Sequence, residues 1–398
     1  MKKNHRVAFL NDSARIAGAE KSLALLVKNL PGRIAPLVVC PPGEYAEFLA
    51  ASGVPNVKTA RLWHYTRANG YLRYMATLVR LARILLNFRV EIIHCNSYRA
   101  GHWGIPLAYL LGVQTVCHVR DCHYTRFSSA LMKRAGRRVQ FIAVSNAVKA
   151  ALVRVGVPAE KVSVIYNGTD VGSFRPGLPA ARFLHEGATR VNLGIFGRIE
   201  ARKRHVDAVE ALAEVREHVD AHLYVVGDAW RESGKAVEKW LQERISQLGL
   251  APHVSFTGYR TDIPEIMAGM DVVLVPSVDE PFARVILEAM ASEKPVIGTL
   301  SGGTPEMIED GVSGLLVAPE RPAELAEAIL RLARDPELAR RLATNGLQRA
   351  TGLFTIEAHV SKVVAVYEQI VNQPSAVNPG VNVAPARRVG RPSHPDAR

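Results

Sequence analysis

The chain of 398 residues is 48% hydrophobic and 22% charged, and its 50 Lys and Arg against 37 Asp and Glu give a formal net charge of +13. That length exceeds one ordinary hydrophobic core and predicts two domains, and the composition is that of a globular protein. No apolar run approaches the ~20 residues of a membrane span, and no early stretch has the basic, apolar, small-residue order of a signal peptide, so a cytoplasmic location is expected.

Residues 6–12, RVAFLND, read as a strand, 18–30, GAEKSLALLVKNL, as a helix, and 35–40 as a second strand. In 71–88, YLRYMATLVRLARILLNF, Tyr71, Met75, Leu78, Ala82 and Leu85 fall at helical spacing, with Arg73, Arg80 and Arg83 off that stripe. The pattern suits a packed helix or a helix lying on a membrane surface. Strand-like runs return at 90–97, 114–119 and 140–145, each followed by a helical stretch. Such alternation builds a parallel sheet covered on both faces. Cys40, Cys95, Cys117 and Cys122 fall in or near these strands and read as small buried hydrophobes. The run CHVRDCH at 117–123 matches no usual zinc-ligand spacing. This part of the chain is strongly basic: residues 1–170 hold 24 Lys and Arg against 8 Asp and Glu, and the rest holds 26 against 29. A basic half suits a polyanionic partner: an anionic membrane, a phosphorylated substrate or nucleic acid.

Residues 167–182, NGTDVGSFRPGLPAAR, have the Gly and Pro density of a linker. The cycle then restarts, with strands at 191–197, 221–227, 253–258, 271–277 and 294–299 and helices at 205–218, 235–249, 283–293 and 322–335. The expected organisation is an N-terminal domain over 1–175 and a C-terminal domain over 185–353. A last helix, 355–372, packs back on the first domain, and a Pro- and Arg-rich tail, 373–398, is disordered. The fold class is α/β: two doubly wound parallel-sheet, Rossmann-like domains facing across a cleft. Ligands of such sheets sit beyond the C-terminal ends of the strands.

Three segments at strand ends carry chemistry. In GRIEARK, 197–203, Gly197 permits a tight turn, and Arg198 and Lys203 place two cations where a departing diphosphate can be neutralised without a metal. EPFARVILE, 280–288, predicts a helix with Pro281 in its first turn and Glu280 at its N-cap. Its amino end offers free N–H groups as a diphosphate cradle. Glu280 and Glu288 lie ~12 Å apart along such a helix. That is too far for a glycosidase pair, but it fits the two ends of a long ligand. In the third segment, 302–317, Gly302 and Gly303 allow backbone to approach a ligand. Gly18 comes after the first strand and faces the same cleft. Neither a GxGxxG nor a P-loop motif occurs.

In combination these segments resemble glycosyltransferase family 4, the retaining enzymes of GT-B fold, over about residues 5–372. The Asn-Gly-x-Asp stretch at 167–170 and the Gly-Gly-x-Pro-Glu stretch at 302–306 are similar to family segments as well. The resemblance implies transfer of a sugar from a UDP- or GDP-sugar to a hydroxyl of a sugar or lipid-linked acceptor. The setting implied is synthesis of cell-surface polysaccharide, lipopolysaccharide or glycolipid. Neither a tightly bound cofactor nor a metal is implied, and no nucleic-acid partner is expected. Arg198 and Lys203, beside Gly197, would grip the diphosphate, and Glu288 would hold the ribose. Glu280, with the amides near Phe282 and Ala283, would hold the donor sugar. Gly18 would lie beside the diphosphate or acceptor, and His118 near the transferred sugar. The catalytic set so implied is Glu280, His118, Arg198 and Lys203. Ala17, Arg204 and Ala283 stand where the family often has glycine. Anionic membrane at the inner face of the plasma membrane is the partner expected of the basic half. The rival readings are a nucleotide-sugar 2-epimerase of the same fold, a basic nucleic-acid-binding protein, and a non-catalytic sugar-nucleotide sensor.

Overall fold

The structure, a computed structural model, describes residues 4–63, 70–136, 139–182 and 190–372. The tail read as disordered, 373–398, lies outside the described residues.

The first sheet contains β1 (His5–Leu10), β2 (Ile34–Cys40), β3 (Val57–Thr59), β4 (Ile92–Cys95), β5 (Gln114–Val119), β6 (Gln140–Ala143) and β7 (Val162–Val164). The second contains β8 (Val191–Phe196), β9 (Ala221–Val226), β10 (Val254–Gly258), β11 (Val272–Val275), β12 (Val296–Thr299) and β13 (Leu315–Val317). Their orders are β3-β2-β1-β4-β5-β6-β7 and β10-β9-β8-β11-β12-β13, and the pairings are parallel. Central strands such as β4, β6 and β11 are buried along their whole length, which explains their continuous apolar runs. In each sheet the order reverses beside the first strand of the half: β1 sits between β2 and β4, and β8 between β9 and β11. Loops diverge there and open a crevice at the strands' C-terminal ends.

Helices cover both sheets. In the first half they are α1 (Gly18–Lys28), α2 (Glu44–Ala51), α3 (Gly70–Phe88), α4 (Gly101–Leu111), α5 (Arg126–Ala135) and α6 (Asn146–Arg154). The second half has α7 (His205–Val215), α8 (Glu232–Gln247), α9 (Ile263–Ala268), α10 (Arg284–Ala291), α11 (Thr304–Met307), α12 (Pro322–Arg334) and α13 (Pro336–Leu353), and α14 (Ile356–Asn372) ends the described chain. Strands β3, β7 and β13 have three residues each, too few to show a period in sequence.

The face that α3 buries centres on Thr77, Leu81 and Leu85, with Leu78 and Ala82 of the expected stripe packed against the core and Tyr71 exposed. The Tyr74 hydroxyl donates to the His102 carbonyl at 2.6 Å, tying the helix to α4 and setting its rotation.

The chain passes between the halves twice, and the two passages lie side by side. The Thr169 N–H donates to the Phe354 carbonyl at 2.8 Å, and Thr169 bridges Thr355. From there α14 returns to the first sheet, where Val363, Tyr367 and Ile370 share one apolar cluster with Leu23, Val27 and Ile34. Cys40, Cys95 and Cys117 are buried free thiols in the strands of that sheet, and Cys122 is partly buried.

Candidate active site

Both reversal points open onto one cavity of about 370 Å³, within the usual ~300–1,000 Å³ of a small-molecule site. Gly18, Gly197, Arg198, Lys203, Glu280, Phe282, Ala283 and Glu288 all line it. Seven Lys and Arg line the cavity against four Asp and Glu, so its formal balance favours an anionic ligand.

Strand β8 ends at Phe196, and Gly197 turns the chain with φ +131° while its N–H donates to the Val226 carbonyl at 2.9 Å. A short 3₁₀ turn, Ala201–Lys203, comes next. The Lys203 stem lies over Gly197, whose Cβ would touch Lys203 Cε at 3.7 Å. The turn closes on Arg204 at φ +53°. A left-handed backbone there explains why glycine suits the position. The arginine costs about 1–2 kcal/mol of strain, offset by its bonds to Asp207 at 3.0 and 2.7 Å and its ion pair with Glu320 at 3.1 Å.

Strand β11 runs beside β8, so the loop after it meets this turn. Lys203 Nζ donates to Glu280 Oε2 at 2.7 Å and Arg202 Nη1 to the same oxygen at 3.1 Å. Burial pushes the Glu280 carboxyl up, but Lys203 and Arg202 outweigh it and hold the group below the ordinary glutamate range. Glu280 is therefore a buried carboxylate at neutral pH.

The helix after this loop starts later than expected. α10 begins at Arg284, and its N-cap is Ala283, with no side-chain cap. Glu280 is not available to cap it, because two cations already hold its carboxylate. Ala283 has φ −80°, so no glycine is required there. The Phe282 ring stacks on Tyr166 from the first half with centroids 5.8 Å apart, which packs the loop across the cleft. Glu288, one turn into α10, accepts from Arg284 at 2.9 Å, and Arg284 also donates to the Gly18 carbonyl at 3.3 Å. At that Gly18 end of α1, the Ala17 N–H is satisfied by the Glu20 carboxylate at 3.1 Å. Gly18 and Ala19 occupy the first helical positions, whose amides lack intrahelical acceptors, and both line the cavity.

Gly302 and Gly303 lie against protein backbone. The Gly303 N–H donates to the Glu280 carbonyl at 2.8 Å, and a Cβ on Gly302 would come closer than 3.0 Å to that same oxygen. The pair buttresses the Glu280 loop from behind. His118 is fully buried, just behind the cavity lining, and bonded to Arg120, which does line the cavity. Its ring stacks on His359 of α14 at 5.8 Å and meets His94 edge-on at 5.4 Å. Burial first, then Arg120 and the two neighbouring imidazoles, hold it well below its ordinary pKa. At this strand end Arg120 and Asp121 line the cavity.

Sequence reasoning also missed Arg202, Asp121, Arg284 and Gly227, all of which line the cavity. Arg202 sits inside the GRIEARK segment, between neighbours that carry the stronger motif signal. Gly227 ends β9 at φ +142° and lies against the Gly197 carbonyl. A glycine closing an apolar strand is the available signal for it.

Two Rossmann-like sheets with opposed reversal points and a cation-rich cavity between them define a glycosyltransferase of GT-B architecture. Residues 16–173 match the family described as Glycosyltransferase Family 4, and residues 187–349 match Glycosyl transferases group 1. The chain belongs to this glycosyltransferase family. It is 28% identical over 305 residues to alpha-D-kanosaminyltransferase of Streptomyces kanamyceticus, covering 70% of this chain and 76% of the relative. It is 26% identical over 327 residues to the lipopolysaccharide core biosynthesis mannosyltransferase LpsB of Rhizobium meliloti, covering 80% and 82%. Among solved structures, HepE of Anabaena in complex with UDP and glucose superposes with a TM-score of 0.81 at 26% identity, over 92% of this chain and all of that one.

Proposed function

We propose that the cavity holds a nucleotide diphosphate sugar and transfers its sugar, with retained anomeric configuration, to a hydroxyl of a sugar or lipid-linked acceptor. The observation that carries this reading is the junction of Lys203, Arg202 and Glu280 beside Arg198 and the first turns of α1 and α10. Cations suit the two phosphates, and a carboxylate suits sugar hydroxyls. In the reaction the bond from the anomeric carbon to the diphosphate oxygen breaks, and a bond to the acceptor oxygen forms on the same face. The acceptor's proton passes to the departing diphosphate. Such a step rests on position and charge stabilisation more than on a protein base. In this reading Arg198 and Lys203 hold the diphosphate, and Glu288 holds the ribose. Glu280 and the backbone at Phe282 and Ala283 hold the donor sugar, and Gly18 lets α1 come close. The HepE complex with UDP and glucose supports a uridine donor, and a guanosine donor is the alternative.

The direct test is thermal denaturation with UDP, GDP and their sugars. A ligand at 100 times its dissociation constant stabilises the fold by about 2.7 kcal/mol, a clear rise in Tm. Failure of every uridine and guanosine nucleotide to raise Tm would remove the donor reading.

The outer face of α3 supports work at an anionic membrane. Leu72, Val79 and Leu86 recur every seven residues and are 82%, 47% and 60% exposed. Exposed Arg80 and Arg83 flank them on the same face. An apolar stripe edged by guanidinium groups matches the interface of an anionic bilayer. No helix among the described residues is long and apolar enough to cross one. The protein is expected to float with phosphatidylglycerol-containing vesicles at low salt and to be released as salt rises. Leu72→Ser with Leu86→Ser should abolish flotation. Wild-type protein left at the bottom of a low-salt gradient would end this part of the reading.

A further inference from the structure

The cavity wall contributed by the first half holds an arginine that meets no carboxylate in an ion pair among the described residues, Glu20 and Asp121 acting on it only through space. Arg120 lies just past β5, lines the cavity and donates to three neutral acceptors. Nε reaches Asn96 Oδ1 at 3.2 Å, Nη1 reaches Asn167 Oδ1 at 2.5 Å, and Nη2 reaches His118 Nδ1 at 3.3 Å. A guanidinium has five N–H donors, so two remain. Among the described residues no carboxylate pairs with it. Four other cavity cations contrast with it: Lys203 and Arg202 meet Glu280, Arg284 meets Glu288, and Arg198 lies 3.9 Å from Glu200.

Burial, offset in part by Glu20 and reinforced by Arg284 across the cavity, brings the Arg120 guanidinium down to about 10, so it stays charged at neutral pH. Two cations that repel each other in one crevice are stabilised when an anion enters between them. The Asn96, Asn167 and His118 bonds fix the planar group from its rear edge, which orients its remaining donors without neutralising them.

We propose that Arg120 is an anion-binding residue of the reaction centre, and that its counter-ion is an oxyanion carried in by the donor. This rests on the donor reading above. Two parts of a donor supply that chemistry: the diphosphate, or a carboxylate on the transferred sugar. The buried imidazole of His118 serves Arg120 as an acceptor.

Calorimetric binding to wild type, Arg120→Met and Arg120→Lys tests this, with UDP against UMP and GDP against GMP. A second pair of comparisons, UDP-glucuronate against UDP-glucose and GDP-mannuronate against GDP-mannose, reads the sugar. A contact to the diphosphate makes Arg120→Met lose roughly ten- to hundredfold in affinity for the diphosphate nucleotide while the monophosphate is unchanged. A contact to the sugar leaves both nucleotides unchanged and removes a preference for the carboxylated sugar. In either case Arg120→Lys recovers part of the loss, which a merely structural defect would not allow. Wild-type affinities throughout in Arg120→Met overturn the proposal while leaving the donor reading intact. A wild-type protein that binds none of these compounds overturns both.

Discussion

Replacing Lys203 by alanine is expected to lower turnover by a factor on the order of 10²–10³, the loss typical of removing one preorganised charge donor from a transition state. The residue acts twice. Its ammonium is proposed to meet the charge that grows on the departing diphosphate, and in the free protein it neutralises Glu280 at 2.7 Å. Without it, Glu280 keeps only the Arg202 contact at 3.1 Å, and burial then raises its pKa. A carboxyl held below its ordinary value stabilises the fold above the unfolded pKa, and that contribution fades as pH falls through the lowered value. In Lys203→Ala that contribution is smaller or reversed, so the gap in melting temperature between wild type and variant should be widest near neutral pH and narrow on acidification. Glu280→Gln combined with Lys203→Ala should cost less than the sum of the two, because the pair shares one contact. Steady-state kinetics with the donor found by thermal shift decides the main point: near-wild-type turnover in Lys203→Ala would refute the assigned role.

Gly302→Ala is expected to destabilise the fold by about 2–5 kcal/mol, combining roughly 1–2 kcal/mol for a left-handed alanine with about 1–3 kcal/mol for overpacking. Gly302 has φ +59°, and a Cβ there would press on both the carbonyl oxygen and the amide nitrogen of Glu280. Those are backbone atoms, and they cannot swing aside as a flexible side chain would. The clash pushes on the loop that holds Glu280 against Lys203, so surviving folded protein should also turn over slowly. Gly311→Ala is the control. Its φ is +70°, but no atom lies within 4 Å of the added methyl, so only the backbone term applies. Denaturant midpoints for the two variants separate the effects; equal losses would show that the Glu280 backbone yields easily.

The parallel-sheet architecture is legible because apolar runs and helical periods alternate along the whole chain, and buried parallel strands leave that mark. The neighbourhood of Gly197, Arg198 and Lys203 with Glu280 is legible for a topological reason: both segments lie just past strands that pair at a reversal point. Features set by contacts between distant residues are not legible in this way. The late start of α10 depends on Lys203 and Arg202 removing Glu280 from its capping role. The burial of His118 depends on His359 and His94, distant in sequence. Arg120 carries no comparable mark, since adjacent His118 and Asp121 look more like chemistry on paper. The neutrality of its partners emerges only when Asn96 and Asn167 are brought alongside.

The paired passages at Thr169 and Thr355 have a consequence for how such a protein can be rebuilt. The second sheet with its helices is, in chain terms, a cassette inserted into a loop of the first. A fragment severed before residue 170 would lack Val363, Tyr367 and Ile370, one wall of its own interior. Hybrids that exchange the cassette between relatives must therefore be spliced at both seams at once, and a single-junction chimera should aggregate.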